Sequence, residues 1–190
     1  ILEQMDGSNF PVHAGDLPSR VSTIDEVEKY LLDKPYKTDR MDLNHPGGGH
    51  AYRVEEDGVS FAYVTDNELD PPDKPHTSYD EWVEYCRGVD LLVHDAQYTE
   101  VDMPEKHSWG HSLISQVRQL AVDAQVKNLA MFHHDPERTD SALDEIALES
   151  ANYFKSSGSK IGSYIAAEGL TFELKVKNDP KVSTLNLLEY

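Results

Sequence analysis

The chain has 190 residues, enough for a domain with a substantial core, of which 38% are hydrophobic and 27% charged. No run approaches the roughly 20 apolar residues that cross a bilayer, so no helical membrane span is expected. Thirty-five acidic residues against 17 basic ones give a net charge of −18, and no Lys/Arg cluster interrupts that field. Such a surface repels polyanions, which argues against bulk DNA or RNA and for a small-molecule substrate or a protein partner.

The first residues, ILEQMDGSNF, carry no basic segment followed by an apolar run, and Cys86 is the single cysteine, so no intrachain disulfide can form. Both features fit a reducing cytoplasm. Cys86 falls in a helix-like stretch, where a buried apolar role is expected.

Taken in chain order, residues 1–20 are rich in Gly, Pro and Asp and read as a loop or extension. Ser22-Thr23 followed by IDEVEKYLLDK reads as a capped amphipathic helix. Residues 36–44 look strand-like, and HPGGGH then breaks regular structure. AYRVE and VSFAYVTD flank EEDG, the pattern of a β-hairpin. Residues 67–78 form a Pro-rich loop, and YDEWVEYCRG reads as a helix stopped by Gly88. DLLVHDA (90–96) is a short buried strand, followed by a long polar loop to His111. SLISQVRQLAVDAQ is an amphipathic helix with Leu113, Val117, Leu120 and Ala121 along one face. VKNLAMF is a second buried strand running into HHDP, and SALDEIALESANYFKS is a helix. IGSYIAAEG and LTFELKV suggest a closing strand pair, with the last residues, from 178, as a tail. A hairpin followed by alternating helices and strands predicts an α/β sheet covered by helices, in one domain over residues 1–190.

Three predicted strand ends terminate in metal-competent side chains: Asn44-His45-Pro46-Gly47-Gly48, His94-Asp95-Ala96 and Phe132-His133-His134-Asp135. In layered α/β folds such ends project side chains into one crevice. Imidazoles with a carboxylate suit Zn first, then Mn or Fe, and a shared carboxylate can hold two ions about 3.5–4 Å apart. The glycines after His45 allow a sharp turn beside an ion. Asp95 follows Leu91, Leu92 and Val93, so its charge needs compensation if buried. His111 precedes the amphipathic helix and is placed to protonate a leaving group. His134 and Asp135 read as supporting neighbours of the ligands. His94 is expected on the opposite side of its strand from Asp95. Asp66 and Glu68 read as structural loop residues, and Trp109 and Tyr98 as packing. His13, His50, His76 and His107 have no strong claim.

The segments NHPGGGHAYRVEEDGVSFAYVTDNE, LLVHDAQYTEVDMPEKHSWGHS and LAMFHHDP together resemble the later motifs of metallo-β-lactamase-fold hydrolases, in the branch of ribonuclease Z and related small phosphodiesterases. The resemblance runs from about Phe10 to about Phe172. It implies an αββα sandwich of which this chain covers mainly the C-terminal half. It also implies a two-metal site that hydrolyses phosphodiesters with a metal-activated water. By the same resemblance His45 and His133 are metal ligands, Asp95 is the bridging carboxylate, and His111 assists cleavage together with Asp95. The family's His-x-His-x-Asp-His run does not occur here, the only earlier histidine being His13. The resemblance therefore implies that the N-terminal half lies outside this chain.

Two other readings stay open on the residues. One is a non-catalytic metal-binding or sensing module. The other is a fragment that needs a second chain, such as a homodimer mate, to complete its site.

Overall fold

A computed structural model of the chain describes residues 34–175, Lys29, and the backbone of Asn186–Leu188. The expected loop over residues 1–20 and the capped helix after Thr23 lie outside the described residues, apart from Lys29, which is helical. The chain divides into two compact units, Ile1–Lys37 and Thr38–Tyr190. In the first, residues 34–36 form a bend. The second holds the sheet from Thr38 onward and every candidate site residue described below.

A six-stranded sheet runs in chain order, β1 through β6. Strand β1 (Lys37–Asp42) is an edge strand, mostly exposed and rich in charge, which guards an open edge against pairing with another chain. Strands β2 (His50–Glu56) and β3 (Val59–Val64) form the expected antiparallel hairpin, with Glu56 opposite Val59. The turn between them is Asp57-Gly58, both at positive φ (49° and 77°), the conformation that matches the twist of a two-residue hairpin.

From β3 onward the chain crosses over through helices, and β3, β4 (Leu91–Asp95), β5 (Asn128–Phe132) and β6 (Gly162–Ile165) are all parallel. Helix α1 (Tyr79–Cys86) starts where the Ser78 N–H and hydroxyl both donate to the Glu81 carboxylate, at 2.8 and 2.6 Å. It stops before Gly88, at φ 64°. Helix α2 spans Ile114–Asp123, and Gln116 accepts from the Leu113 N–H at its start. Helix α3 spans Asp140–Ser156, capped by the Thr139 hydroxyl.

Register places Ala62, Leu92 and Leu129 side by side, and Val64, His94 and Met131 one step further on. All six are fully buried, and the apolar ones join Trp82, Val117, Leu120 and Phe154 from the helices in one core. The alternate residues, Phe61, Tyr63 and Val93, lie on the other face, where Tyr63 is 40% exposed.

Two sequence expectations need correction. The segments 161–173 do not pair with each other. Strand β6 emerges from the α3 crossover alongside β5 and takes up its free edge, as parallel crossovers do. Strand β7 (Thr171–Glu173) pairs instead with β8 (Asn186–Leu188), which falls in the stretch read as a tail.

Candidate metal centre

The carboxyl ends of three adjacent parallel strands supply the first side chains. Asp66 lies just past β3, Asp95 ends β4, and His133 follows β5. The register brings these ends level, with Val64 beside His94 and Asp95 beside Phe132. Asp66 and His133 sit in the left-handed region, at φ 54° and 56°. That conformation costs a residue with a Cβ roughly 1–2 kcal/mol. It redirects the chain so that neither side chain continues the strand's alternation, and strain of this kind collects at functional sites.

His45 comes from the loop after β1. That loop is fixed by Asn44, which is buried and fully bonded. Its N–H donates to Asn67 Oδ1, and its side-chain amide donates to the carbonyls of Glu68 and Thr77. Its Oδ1 accepts from the Thr77 N–H, and its carbonyl accepts from the Glu68 N–H. Ser112 ties the same region to α2, donating to the Asn67 carbonyl at 2.6 Å and accepting from the Leu69 N–H. The Glu68 carboxylate, buried, accepts from the N–H groups of Ser108 and Gly110. It thereby holds the segment that delivers His111.

These elements bring five ligand-competent residues together. His45, Asp66 and His111 each offer an atom within 4.8 Å of the others, and so do Asp95, His111 and His133. His111 is common to both groups. Its ring stacks on His133 with centroids 4.8 Å apart and meets His45 edge-on at 5.6 Å. His133 Nε2 lies 3.1 Å from Asp66 Oδ1. Asp95 is wholly buried. Its Oδ2 accepts from His111 Nδ1 at 2.5 Å and from the Asn67 N–H at 3.2 Å, and its Oδ1 accepts from the Gln97 N–H at 3.1 Å. Burial pushes the His111 imidazole toward neutrality, but the Asp95 bond and charge, with Asp66 and Glu68 nearby, raise its pKa above the ordinary value.

The expected residues His45, Asp95, His111 and His133 thus gather in one place. Among the described residues, the side chains of the supporting pair make their hydrogen bonds elsewhere. His134 Nε2 donates to the Ala166 carbonyl, and burial lowers its pKa. Asp135 accepts from Lys106 at 2.6 Å and from the Glu137 N–H. His94 is buried on the helix side, its Nδ1 donating to the Asp95 carbonyl at 2.6 Å. Asp66, read from the sequence as a structural loop residue, lies in the cluster. The signal was present: like Asp95 and His133, it closes a run of apolar strand residues. Trp109, expected as packing, is 58% exposed, while Tyr98 is buried.

No protein-family model matches the chain. Ribonuclease Z of Saccharolobus solfataricus is 36% identical over 58 residues, which is 30% of this chain and 19% of that enzyme. Ribonuclease Z of Thermoplasma acidophilum is 29% identical over 101 residues, 53% of this chain and 30% of that enzyme. The matched stretches therefore span less than a third of these relatives. Among solved structures, the metallo-β-lactamase fold protein YhfI from Bacillus subtilis superposes with a TM-score of 0.51 at 15% identity, over 71% of this chain and 48% of its own. With its mixed sheet and helical crossovers, the chain shares the fold of the metallo-β-lactamase-fold proteins.

Proposed function

We propose that this chain is a metal-dependent hydrolase of small phosphoesters, with a two-metal site at the strand ends. The observation that carries the reading is the convergence of His45, Asp66, His111 and His133 around a wholly buried Asp95. The donor set fits divalent ions of the Zn, Mn and Fe class, being imidazoles and carboxylates at short mutual distances. His133 Nδ1 is also buried with no hydrogen-bond partner among the described residues. When bound, such ions supply positive charge that polarises a phosphoryl oxygen and makes nearby water more acidic.

The chain's own residues divide the work by what each has left to offer. Asp95 was expected to bridge the ions, but its oxygens already accept three hydrogen bonds. Asp66 keeps an accessible carboxylate, 43% exposed, beside His133. We therefore assign His45, Asp66 and His133 as the metal-holding residues, with Asp66 as the shared carboxylate. Asp95 is a positioning residue: it fixes the His111 tautomer through Nδ1, leaving Nε2 to deliver a proton to the departing oxygen. The similarity to ribonuclease Z supports a phosphodiester bond as the target. The charge of −18 supports a small ester over a nucleic acid.

The test is zinc titration by calorimetry together with hydrolysis of bis(p-nitrophenyl) phosphate. Asp66→Asn is expected to weaken zinc binding by more than about tenfold. His111→Ala is expected to keep its zinc while kcat falls about 10²–10⁴-fold. Zinc at full occupancy with no turnover in the unmutated chain would remove the hydrolase reading and leave a binding module.

A further inference from the structure

A cleft shares His45 with the cluster above but is otherwise separate from it, and its assignment rests on the phosphoester reading. Its volume is about 240 Å³, and its walls include His45, Pro46, Lys74, His76 and Ser108. That is several times the roughly 30 Å³ of a water, yet below the roughly 300–1,000 Å³ of a site that swallows a whole drug-sized ligand. One substituent of a small substrate fits it.

The wall facing the His45 loop is the proline loop, with Pro71, Pro72 and Pro75 all lining the cleft. Proline rings restrict backbone freedom, and the loop's far end is anchored: Thr77 exchanges hydrogen bonds with Asn44 and donates its hydroxyl to the Asp42 carbonyl at 2.6 Å. Lys74 is thereby carried on a segment tied directly to the residue preceding His45. It is exposed and has no acidic partner among the described residues. By contrast Lys106, Arg118 and Arg138 each sit on a carboxylate. Of the acids on the cleft wall, Glu68 is already engaged by two backbone N–H groups, while Asp73 is exposed. In a chain with twice as many acids as bases, an uncommitted cation next to the metal-holding cluster is the natural recognition point for an anion.

We infer that this cleft is the subsite for a second anionic group of the substrate, carried on the part attached to the scissile phosphoester and held by Lys74. The preferred substrates are then phosphoesters bearing a further phosphate or carboxylate.

The experiment is calorimetric titration of the zinc-loaded chain with ethyl phosphate and with 2-phosphoglycolate, which differ in a carboxylate. The unmutated chain is expected to prefer phosphoglycolate. Lys74→Gln is expected to weaken phosphoglycolate roughly fivefold and leave ethyl phosphate unchanged. Lys160→Gln, the same charge change at an exposed lysine outside the cleft, is expected to alter neither. No preference in the unmutated chain overturns the subsite, as does an equal loss for both anions in Lys74→Gln, or a matching loss in Lys160→Gln. If phosphoglycolate binds through Lys74 while ethyl phosphate never binds, the subsite stands and the phosphoesterase reading falls. If neither binds, both fall.

Discussion

Gly110 shows how much of the centre depends on a missing side chain. Its φ is 90°, and a Cβ there would lie 2.3 Å from His45 Cδ2 and 2.7 Å from Pro46 Cδ. Alanine would therefore carry two costs, a strained backbone worth about 1–3 kcal/mol and displacement of the His45 ring. Gly58 separates the two, because its φ is 77° but nothing lies within 4 Å of its Cβ position. Both Gly110→Ala and Gly58→Ala should lower Tm, by about 2–4 °C for each kcal/mol lost. Only Gly110→Ala should also weaken zinc binding by calorimetry. Equal zinc affinities in the two variants would mean that His45 is not held where the metal needs it.

The segment from Thr99 to Gly110 holds one turn of 3-10 helix, Glu100–Asp102, and charged side chains add to its backbone hydrogen bonds. Asp102 accepts from the Thr99 N–H and hydroxyl, at 2.8 and 2.9 Å, and from Arg138 at 3.2 Å. Lys106 pairs with Asp135 and lies 5.0 Å from the centre of the Tyr98 ring. For Asp102, partial burial pushes the pKa up, but the Thr99 and Arg138 hydrogen bonds and the Lys106 charge outweigh it, and the carboxyl ends below its usual range. A depressed carboxylate contributes stability that is present above its unfolded pKa and is lost as pH falls through the folded value. The clamp should therefore be closed at neutral pH and release from about pH 4 downward. Limited proteolysis across residues 99–110 should show cleavage appearing in that acid range. Asp102→Asn should cut readily at neutral pH as well. Cleavage that ignores both pH and this substitution would show that the clamp does not hold the loop.

For the molecule as a whole, the helix-covered face of the sheet carries the stability. Trp82 and Cys86 from α1 are both completely inaccessible. Burial pushes the Cys86 thiol up to about 12, so it is protonated and shielded in the folded state. A thiol reagent such as Ellman's should leave the native chain unmodified and label one cysteine once guanidinium unfolds it. Fast labelling without denaturant would mean that α1 does not stay packed. Trp82→Ala should cost about 3–5 kcal/mol in a denaturant titration, since a large cavity opens at the centre of the core. No helix among the described residues is long and apolar enough to cross a membrane.

Much of this molecule was legible in its residues because the signals are local. Apolar runs of strand length gave β3, β4 and β5, Asp57-Gly58 marked the hairpin, and the spacing of Val117, Leu120 and Ala121 marked α2. The polar residues that close those runs pointed to where chemistry collects, since strand ends must turn outward into loops. What the residues could not decide was how differently two aspartates of the same cluster are held. Asp66 and Asp95 both end apolar strands, and the difference lies in a left-handed φ at Asp66 and in the donors from Asn67, Gln97 and His111 that surround Asp95. The pairing of β6 with β5, and of β7 with β8, was equally hidden, as was the approach of Gly110 to His45. Each depends on segments far apart in the chain meeting in space, and pairing energy between distant segments leaves no mark on the local pattern of either one.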